Sequence, residues 1–583
     1  MFATRLRSLA PRLVFTPARR PVAAWVVPLV AVACLGVLVA FVAKNGSRTP
    51  FHDEYANFHL LFGNATAADY WSQHNEHRIP LPRLLYVAAV KLAGTDFRAP
   101  LALNVVMLVV ATAAVLGAVR ARRGRYAVSD IAIPLLLLGT QHFDNLLWGF
   151  QVQFVLSTAL VLAALALVAW PGEAAATNRL LALSVVAAAL PLCGANGAPT
   201  GLALAGFLVV AGSRRLWSGR ASGLFGVVGG LAAAGVVAAT FLGLNRVPRP
   251  TGSVEAFLGG LVNLPAFGFG PAAYLSHGEA YDGITAAGVV TTAFLFVTAV
   301  MLVRVVVTDP KERDRALALA AILAGIAGLA IGISYGRSGH ARGVFAGRYV
   351  TLFTPGIVAA YVAWVWYGRG RVVPVALAVV AACAAVPNAR FAAGIAEFHS
   401  SRLKRVEHEA RAGLPVGIVA DRNPWLFPGG GDARRVWLEL LRTHGVRPFD
   451  QMSLDVPLVP EAVPVRVVRT EGLAEDAGGY RVLRGSGGVV FELPRSGYVY
   501  AVRVTYAAER VGEGFPRSVV SWDRDGRIPP AAGYGLVDAL DFHPTPAPTV
   551  VLVDRETDTL RLDLFETGTT FRVVGIELLS RPH

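Results

Sequence analysis

Val22-Ala23-Ala24-Trp25-Val26-Val27-Pro28-Leu29-Val30-Ala31-Val32-Ala33-Cys34-Leu35-Gly36-Val37-Leu38-Val39-Ala40-Phe41-Val42-Ala43 is a run of 22 residues without a charge. That is the length a helix rising about 1.5 Å per residue needs to cross about 30 Å of hydrocarbon. Arg5, Arg7, Arg12, Arg19 and Arg20 precede it. The run is too long for the apolar core of a secretory signal and shows no convincing cleavage site, so it reads as a first membrane helix. Similar runs near 100–119, 126–141, 152–170, 180–194, 199–213, 222–243, 284–304, 316–334, 349–367 and 372–388 bring the expected crossings to eleven. The short pair 180–194 and 199–213 is separated by Gly194-Ala195-Asn196-Gly197-Ala198-Pro199. It reads either as a tight hairpin or as a broken, re-entrant pair, and both readings leave an odd number of crossings.

Composition agrees with a membrane class. Hydrophobic residues make up 54% and charged residues 16% of the 583 positions, with a mean hydropathy of +0.51, too apolar for a soluble chain of this size. The net charge of +15 does not point to nucleic acid, because the arginines sit in short loops between apolar runs rather than along one face. With the amino terminus inside, inner loops hold 19 Lys and Arg, against 11 in the longer outer loops before residue 389. That bias predicts a cytoplasmic amino terminus and an extracytoplasmic carboxyl terminus. Only four cations are lysine, and with the Ala, Gly and Val excess this suggests a high-GC bacterial genome and a multi-pass protein of the bacterial plasma membrane. Cys34, Cys193 and Cys383 all fall in apolar runs, which leaves no disulfide framework or Cys metal site.

The expected architecture is an α-helical polytopic membrane protein of about 11 transmembrane helices with a carboxyl-terminal extracytoplasmic α/β plus β-sandwich domain. Residues 1–21 form the cytoplasmic amino terminus and 22–388 the transmembrane domain, with a first outer loop over 44–99. Residues 389–455 form an α/β linker element, with a strand expected at Val416–Ala420 between two helices. Residues 456–583 switch to short β-rich runs between Gly, Asp and Pro turns, as in a β-sandwich. Trp522, Tyr534 and Tyr498 there serve either a core or a carbohydrate surface.

Ionisable residues of a membrane enzyme belong where water and substrate reach. The first outer loop carries Phe51-His52-Asp53-Glu54-Tyr55-Ala56-Asn57-Phe58-His59 and Trp71-Ser72-Gln73-His74-Asn75-Glu76-His77-Arg78-Ile79-Pro80-Leu81-Pro82, then an amphipathic segment over 84–92 too short to cross. An acidic pair just beyond a first helix suits inverting sugar transfer, in which one carboxylate, Asp53 or Glu54, takes the proton of an acceptor hydroxyl. The departing phosphate calls for cationic donors. Arg78 and His77 offer these from the same loop, and Arg337, Arg342 and Arg348, with His340, from a later outer loop. Glu76, His74, His142, Asp144 and Tyr349 are the acceptor-side or supporting candidates. The histidines have packing, phosphate-contact and metal-ligand readings side by side, and no zinc signature is present. The loop Ser276–Asp282 has nothing specific beyond its position.

The Asp-Glu pair, the juxtamembrane Pro80-Leu81-Pro82 segment, the charged turn after the second span and Arg348-Tyr349 at the start of a late helix together resemble the GT-C superfamily of membrane glycosyltransferases. That group includes protein O-mannosyltransferases, aminoarabinose transferases and mycobacterial arabinosyltransferases. The resemblance covers about residues 20–390 and implies Asp53 as catalytic base beside Glu54. It also implies a polyprenyl-phosphate-sugar donor, an acceptor that is a glycan, lipid or protein, and a lipid bilayer, with no nucleic acid. His77-Arg78-Ile79-Pro80-Leu81-Pro82 departs from the family's Pro-Pro-Leu element by splitting the prolines. A divalent cation on Asp53, Glu54 or Asp144 is left open, since some members use one and others none. The alternatives are a polysaccharide polymerase or ligase, or a transporter or flippase for lipid-linked sugars.

Overall fold

The computed structural model describes residues 22–245, 252–275, 284–339, 346–426, 431–453, 459–464, 466–476, 478–483, 487–509, 518–523, 546–564, 568 and 570–580. It divides into two compact units, Met1–Arg402 and Leu403–His583.

The first unit is a helical bundle. We label α1 Ala23–Asn45, α2 Pro80–Leu92, α3 Ala99–Arg123, α4 Val152–Ala169, α5 Thr177–Ala189, α6 Ala198–Trp217, α7 Gly223–Phe241, α8 Ala286–Thr308, α9 Arg313–Arg337, α10 Tyr349–Tyr367 and α11 Val372–Arg411. Among the described residues eight helices are long and apolar enough to cross a membrane: α1, α3, α4 with the turn before it, and α7 to α11. Eleven such helices were expected. The run 126–141 breaks into a 3-10 turn Val128–Ile131 and a short helix Ala132–Leu137, and α5 has only 13 residues. α6 is not among the eight, its last turn being charged by Arg214 and Arg215. Large apolar side chains such as Leu29 (64%), Val290 (68%) and Phe296 (68%) are exposed, the pattern of a surface that meets lipid. α10 is the inverse case, buried from Tyr349 through Ala363 at the centre of the bundle. Small residues let α6 and α7 approach closely: a Cβ on Gly212 would meet Gly223 O at 2.6 Å, and one on Gly226 would meet Leu208 O at 2.9 Å.

In the second unit, the short helix Val416–Arg422 replaces the expected strand at 416–420. Its β-branched residues are buried, and local bonds such as Val419 N–H to Pro415 O at 3.1 Å close the turn, so tertiary burial overrides strand propensity. The expected α/β linker is thus helical among the described residues up to 453, with one isolated bridge between Pro415 and Ser453. Beyond it runs an antiparallel eight-stranded sheet. Strands expected near 489–493 and 499–506 are one continuous strand, Gly487–Glu509, whose first part pairs with Arg466–Glu471 and whose second part pairs with Thr570–Ser580. Six strands follow one hydrogen-bonded path, and Val459–Val463 and Arg466–Glu471 branch from it by pairing with Thr570–Ser580 and Gly487–Glu509. Phe491, Val502, Val504, Leu562, Phe571 and Ile576 form its core. Tyr498 and Trp522 fall on strands, and Tyr534 lies outside the described residues.

Candidate active site

The segment after α1 is held by three groups. Phe51 N–H donates to Glu54 Oε2 at 2.7 Å, Tyr86 O–H of α2 donates to Glu54 Oε1 at 3.1 Å, and Trp148 Nε1–H donates to Phe51 O at 3.1 Å. These ties fold His52–Asn57 into a 3-10 turn. They also settle the geometry of the acidic pair. Glu54 is buried, and burial pushes its carboxyl up to about 8, against the Phe51 N–H and Tyr86 O–H bonds. Expected beside Asp53 as a catalytic group, it faces the interior and braces the turn.

Asp53 points the other way. It is half-buried and accepts no hydrogen bond among the described residues. Burial raises its carboxyl above the usual range, and the charges of His52, Arg348 and Arg337 draw it back down. Preceding it, His52 has φ of 46°, a left-handed conformation that costs a non-glycine residue roughly 1–3 kcal/mol. Its ring packs edge-on to Phe51 at 4.4 Å and near Trp148 at 6.1 Å. Such strain is kept where surrounding contacts over-determine it.

The short helix Phe143–Leu146 brings Asp144 to Arg348. Arg348 donates its backbone N–H to the Asp144 carboxylate, and burial raises that carboxyl while Arg348 and His399 lower it. Asn145 Nδ2 donates to Arg348 O at 2.7 Å and to Thr351 Oγ1 at 2.6 Å, fixing the start of α10. The Arg348 guanidinium lies 5.9 Å from the Trp148 ring and 5.8 Å from that of Tyr349. Trp148 is thus buried against the first loop. Asn145, Thr351 and His399 were missed by sequence reading. Asn145 adjoins Asp144, and Thr351 lies three residues after Arg348, but His399 sits in a helix that continues an apolar run and carries no local signal.

The hairpin of Gln73–His74 with His77–Arg78 distributes its side chains differently from expectation. Arg78, expected at a donor phosphate, donates to Thr240 O at 3.0 Å and Leu242 O at 2.7 Å. It caps the free carbonyls at the end of α7, where a cation is favoured. His74 is buried against Phe150 at 4.8 Å, bonded to Asn75 at 3.1 Å, and pushed down to about 3 by burial. His142 has both ring nitrogens engaged, by Thr351 Oγ1 at 2.9 Å and Leu136 O at 2.8 Å, and braces the bundle rather than facing an acceptor. Arg342, with His340 and the 276–282 loop, lies outside the described residues.

Glu76 and His77 meet instead at a cavity of about 470 Å³ with Arg337, Asn196 and Tyr349. The rest of the wall is apolar, including Leu202, Val237, Phe241, Leu329 and Ile333. Arg337 and Glu76 approach only to 4.0 Å. Among the described residues His77 Nε2 and Asn196 Oδ1 are buried there without a well-formed hydrogen bond, Gln153 being the nearest bonding group to the His77 ring. Burial lowers the His77 ring, offset by Gln153 and Glu76. The Gly-Pro break at 194–199 therefore lines a cavity. Among the described residues no three Asp, Glu, His or Cys side chains converge on a metal position.

No protein-family model and no curated protein matches the chain. Among solved structures it is similar to the arabinosyltransferase EmbB from Mycobacterium smegmatis, at 13% identity and a TM-score of 0.34, covering 94% of this chain and 64% of that one. It is also similar to an oligosaccharyltransferase from Archaeoglobus fulgidus, at 13% identity and a TM-score of 0.34, covering 70% of this chain and 60% of that one. The chain thus spans under two thirds of either structure's length, and the functional reading rests on its own residues.

Proposed function

We propose that this chain is an inverting membrane glycosyltransferase that moves a sugar from a polyprenyl-phosphate donor to a hydroxyl of a cell-envelope glycan, lipid or protein on the outer face. The observation that carries the reading is the position of Asp53, a carboxylate without a partner among the described residues, within the fields of Arg348 and Arg337 while Arg337 also lines a largely apolar cavity. Arg337 thereby joins the proton acceptor to the lipid-sized space.

In this mechanism the acceptor oxygen bonds to the anomeric carbon as the bond from that carbon to the phosphate oxygen breaks, and the acceptor proton passes to Asp53. Burial suits Asp53 to this task, because a carboxylate with a raised proton affinity is the better base. Arg337 and Arg348 stabilise the charge that develops on the departing phosphate. Arg337 is available because its contact to Glu76 is long and a guanidinium has five donors. His77, with an open Nε2, binds the phosphate from the hairpin, and the apolar wall takes the first isoprene units. Asp144 and His399 fix Arg348 and the acceptor side. With the amino terminus inside, this end of the bundle is extracytoplasmic.

The test is incubation of purified protein with a panel of polyprenyl-phosphate sugars and envelope acceptors, with products read by mass spectrometry. Transfer with inversion supports the reading. Transfer at full rate by a well-folded Asp53→Ala protein would remove its central residue.

A further inference from the structure

At the other end of the same helices lies a second cavity, of about 550 Å³, between the start of α1, the segment after α3 and the turn from α10 into α11. Its cations are Arg123, Arg125 and Arg371, its apolar wall includes Val22, Val365 and Val375, and no carboxylate lines it among the described residues. The three arginines are not equivalent. Arg123 donates from Nη1 to both oxygens of Asp130, at 2.9 and 2.7 Å, and Asp130 also accepts from Ala127 N–H and Tyr361 O–H. Asp130 is fully buried, so this charge is cancelled inside the bundle.

Arg125 and Arg371 have no such counterpart. Both are exposed, and neither makes a hydrogen bond or ion pair among the described residues. Residues 1–21 contain no Asp or Glu to neutralise them. They sit where α1 and α3, of 23 and 25 residues, reach the edge of the hydrocarbon. Two unneutralised guanidiniums above an apolar wall at that depth match an anion carried on an amphiphile, with its headgroup between the cations and its chains along the wall.

We infer that this cavity is a binding site for an anionic glycerophospholipid, whose phosphate is held by Arg125 and Arg371 and whose acyl chains lie along Val22, Val365 and Val375. The site is separate from the residues assigned to transfer, at the opposite ends of α1, α3 and α10.

The experiment uses the full chain purified in a neutral detergent, with bound lipid counted by native mass spectrometry and the thermal unfolding midpoint followed during titration. Phosphatidylglycerol should bind and raise the midpoint, whereas phosphatidylcholine and millimolar inorganic phosphate should not. Arg125→Ala/Arg371→Ala should weaken phosphatidylglycerol binding by about 30-fold, from two cations near a charged headgroup. Arg304→Ala/Lys311→Ala, which removes two exposed cations elsewhere at this end, should bind as the parent does. If the alanine pair does not fold, Arg125→Gln/Arg371→Gln, which keeps long side chains, carries the same expectation. The inference is overturned by equal binding of phosphatidylcholine, by an equal effect of inorganic phosphate alone, by full binding in the double variant, or by an equal loss in the control pair.

Discussion

The two ends of the helical bundle use the same residue types in opposite ways. At the Arg123 end carboxylates are closely paired: Asp130 with Arg123 at 2.7 Å, Glu312 with Arg315 at 2.7 Å and Arg122 at 2.9 Å, and Asp314 with Arg214 at 2.6 Å. Tyr361 and Tyr367 add hydroxyl donors to Asp130 and Glu312. Around Asp53 and Glu76 the pairing is left open. Asp53 feels the charges of Arg348 and Arg337 but bonds neither among the described residues, and Glu76 stands 4.0 Å from Arg337. Closed pairs hold helices together, while open ones leave donors and acceptors for a substrate that brings its own charge. Not every carboxylate at this end is open: Asp96 bonds Arg98 at 2.6 Å and lies 3.4 Å from Arg48, and Glu54 is closed by neutral donors rather than by a cation.

The sharpest way to break this contrast is Asp53→Asn. With nothing among the described residues hydrogen-bonded to the parent side chain, the variant should fold normally, yet lose transfer by about 10³-fold as expected for a removed general base. Product formation per folded molecule measures it, and a loss of less than tenfold would sink the assignment. At the other end, Arg123→Met should cost about 3 kcal/mol of stability, because it strands a buried carboxylate. Transfer per folded molecule should hardly change. A large loss of transfer with a normal unfolding midpoint would show that the two ends are not separable.

Much of the bundle was legible because its signal is local. Charge-free runs of helical span length mark α1, α3, α4 and α7 to α11 without any partner being known. Runs near 126–141 and 180–194 misled for the same reason: hydropathy counts apolar residues but not the breaks that tertiary packing imposes. In the site, Asp53 and Arg348 were legible as polar residues in outer loops. Their surroundings were not. Arg78 looked like a phosphate ligand until α7 presented its free carbonyls across 162 positions of sequence. Glu54 looked like the twin of Asp53, and a rotation of one residue in a 3-10 turn sends the two carboxylates to opposite environments. Asn145 and Thr351 became visible only when the second loop and α10 met.

Arg348→Gln sharpens the open end further. Asn145 holds the backbone carbonyl of residue 348 rather than its side chain, so the local fold should persist. Loss of one preorganised donor to the leaving group should lower kcat/KM by about 10²-fold. The pH profile gives an independent signature. The Arg348 charge lowers the Asp53 carboxyl, so its removal leaves burial less opposed and raises that pKa. Asp53 must be ionised to accept a proton, so the acid limb of the rate profile should move to higher pH. An unmoved limb would separate Arg348 from Asp53.

The smallest expected effect concerns the carboxylate that neutral donors close. Burial lifts Glu54 from its ordinary 4.5 to about 8, so between those values the folded chain holds a proton that the unfolded chain has released. Stability therefore falls as pH rises across that window and is flat outside it, with a slope of about 1 kcal/mol per pH unit. Glu54→Gln does not titrate. Its amide oxygen can accept from Phe51 N–H, and its amide nitrogen can donate to the Tyr86 hydroxyl, which reverses direction, so both ties survive. The variant should match the parent near pH 5 and become progressively more stable than it at pH 6 and 7, with transfer per folded molecule unchanged. Parallel unfolding curves across this range would mean that Glu54 is ionised in the fold, and transfer lost along with them would return it to the catalytic pair from which its burial removes it.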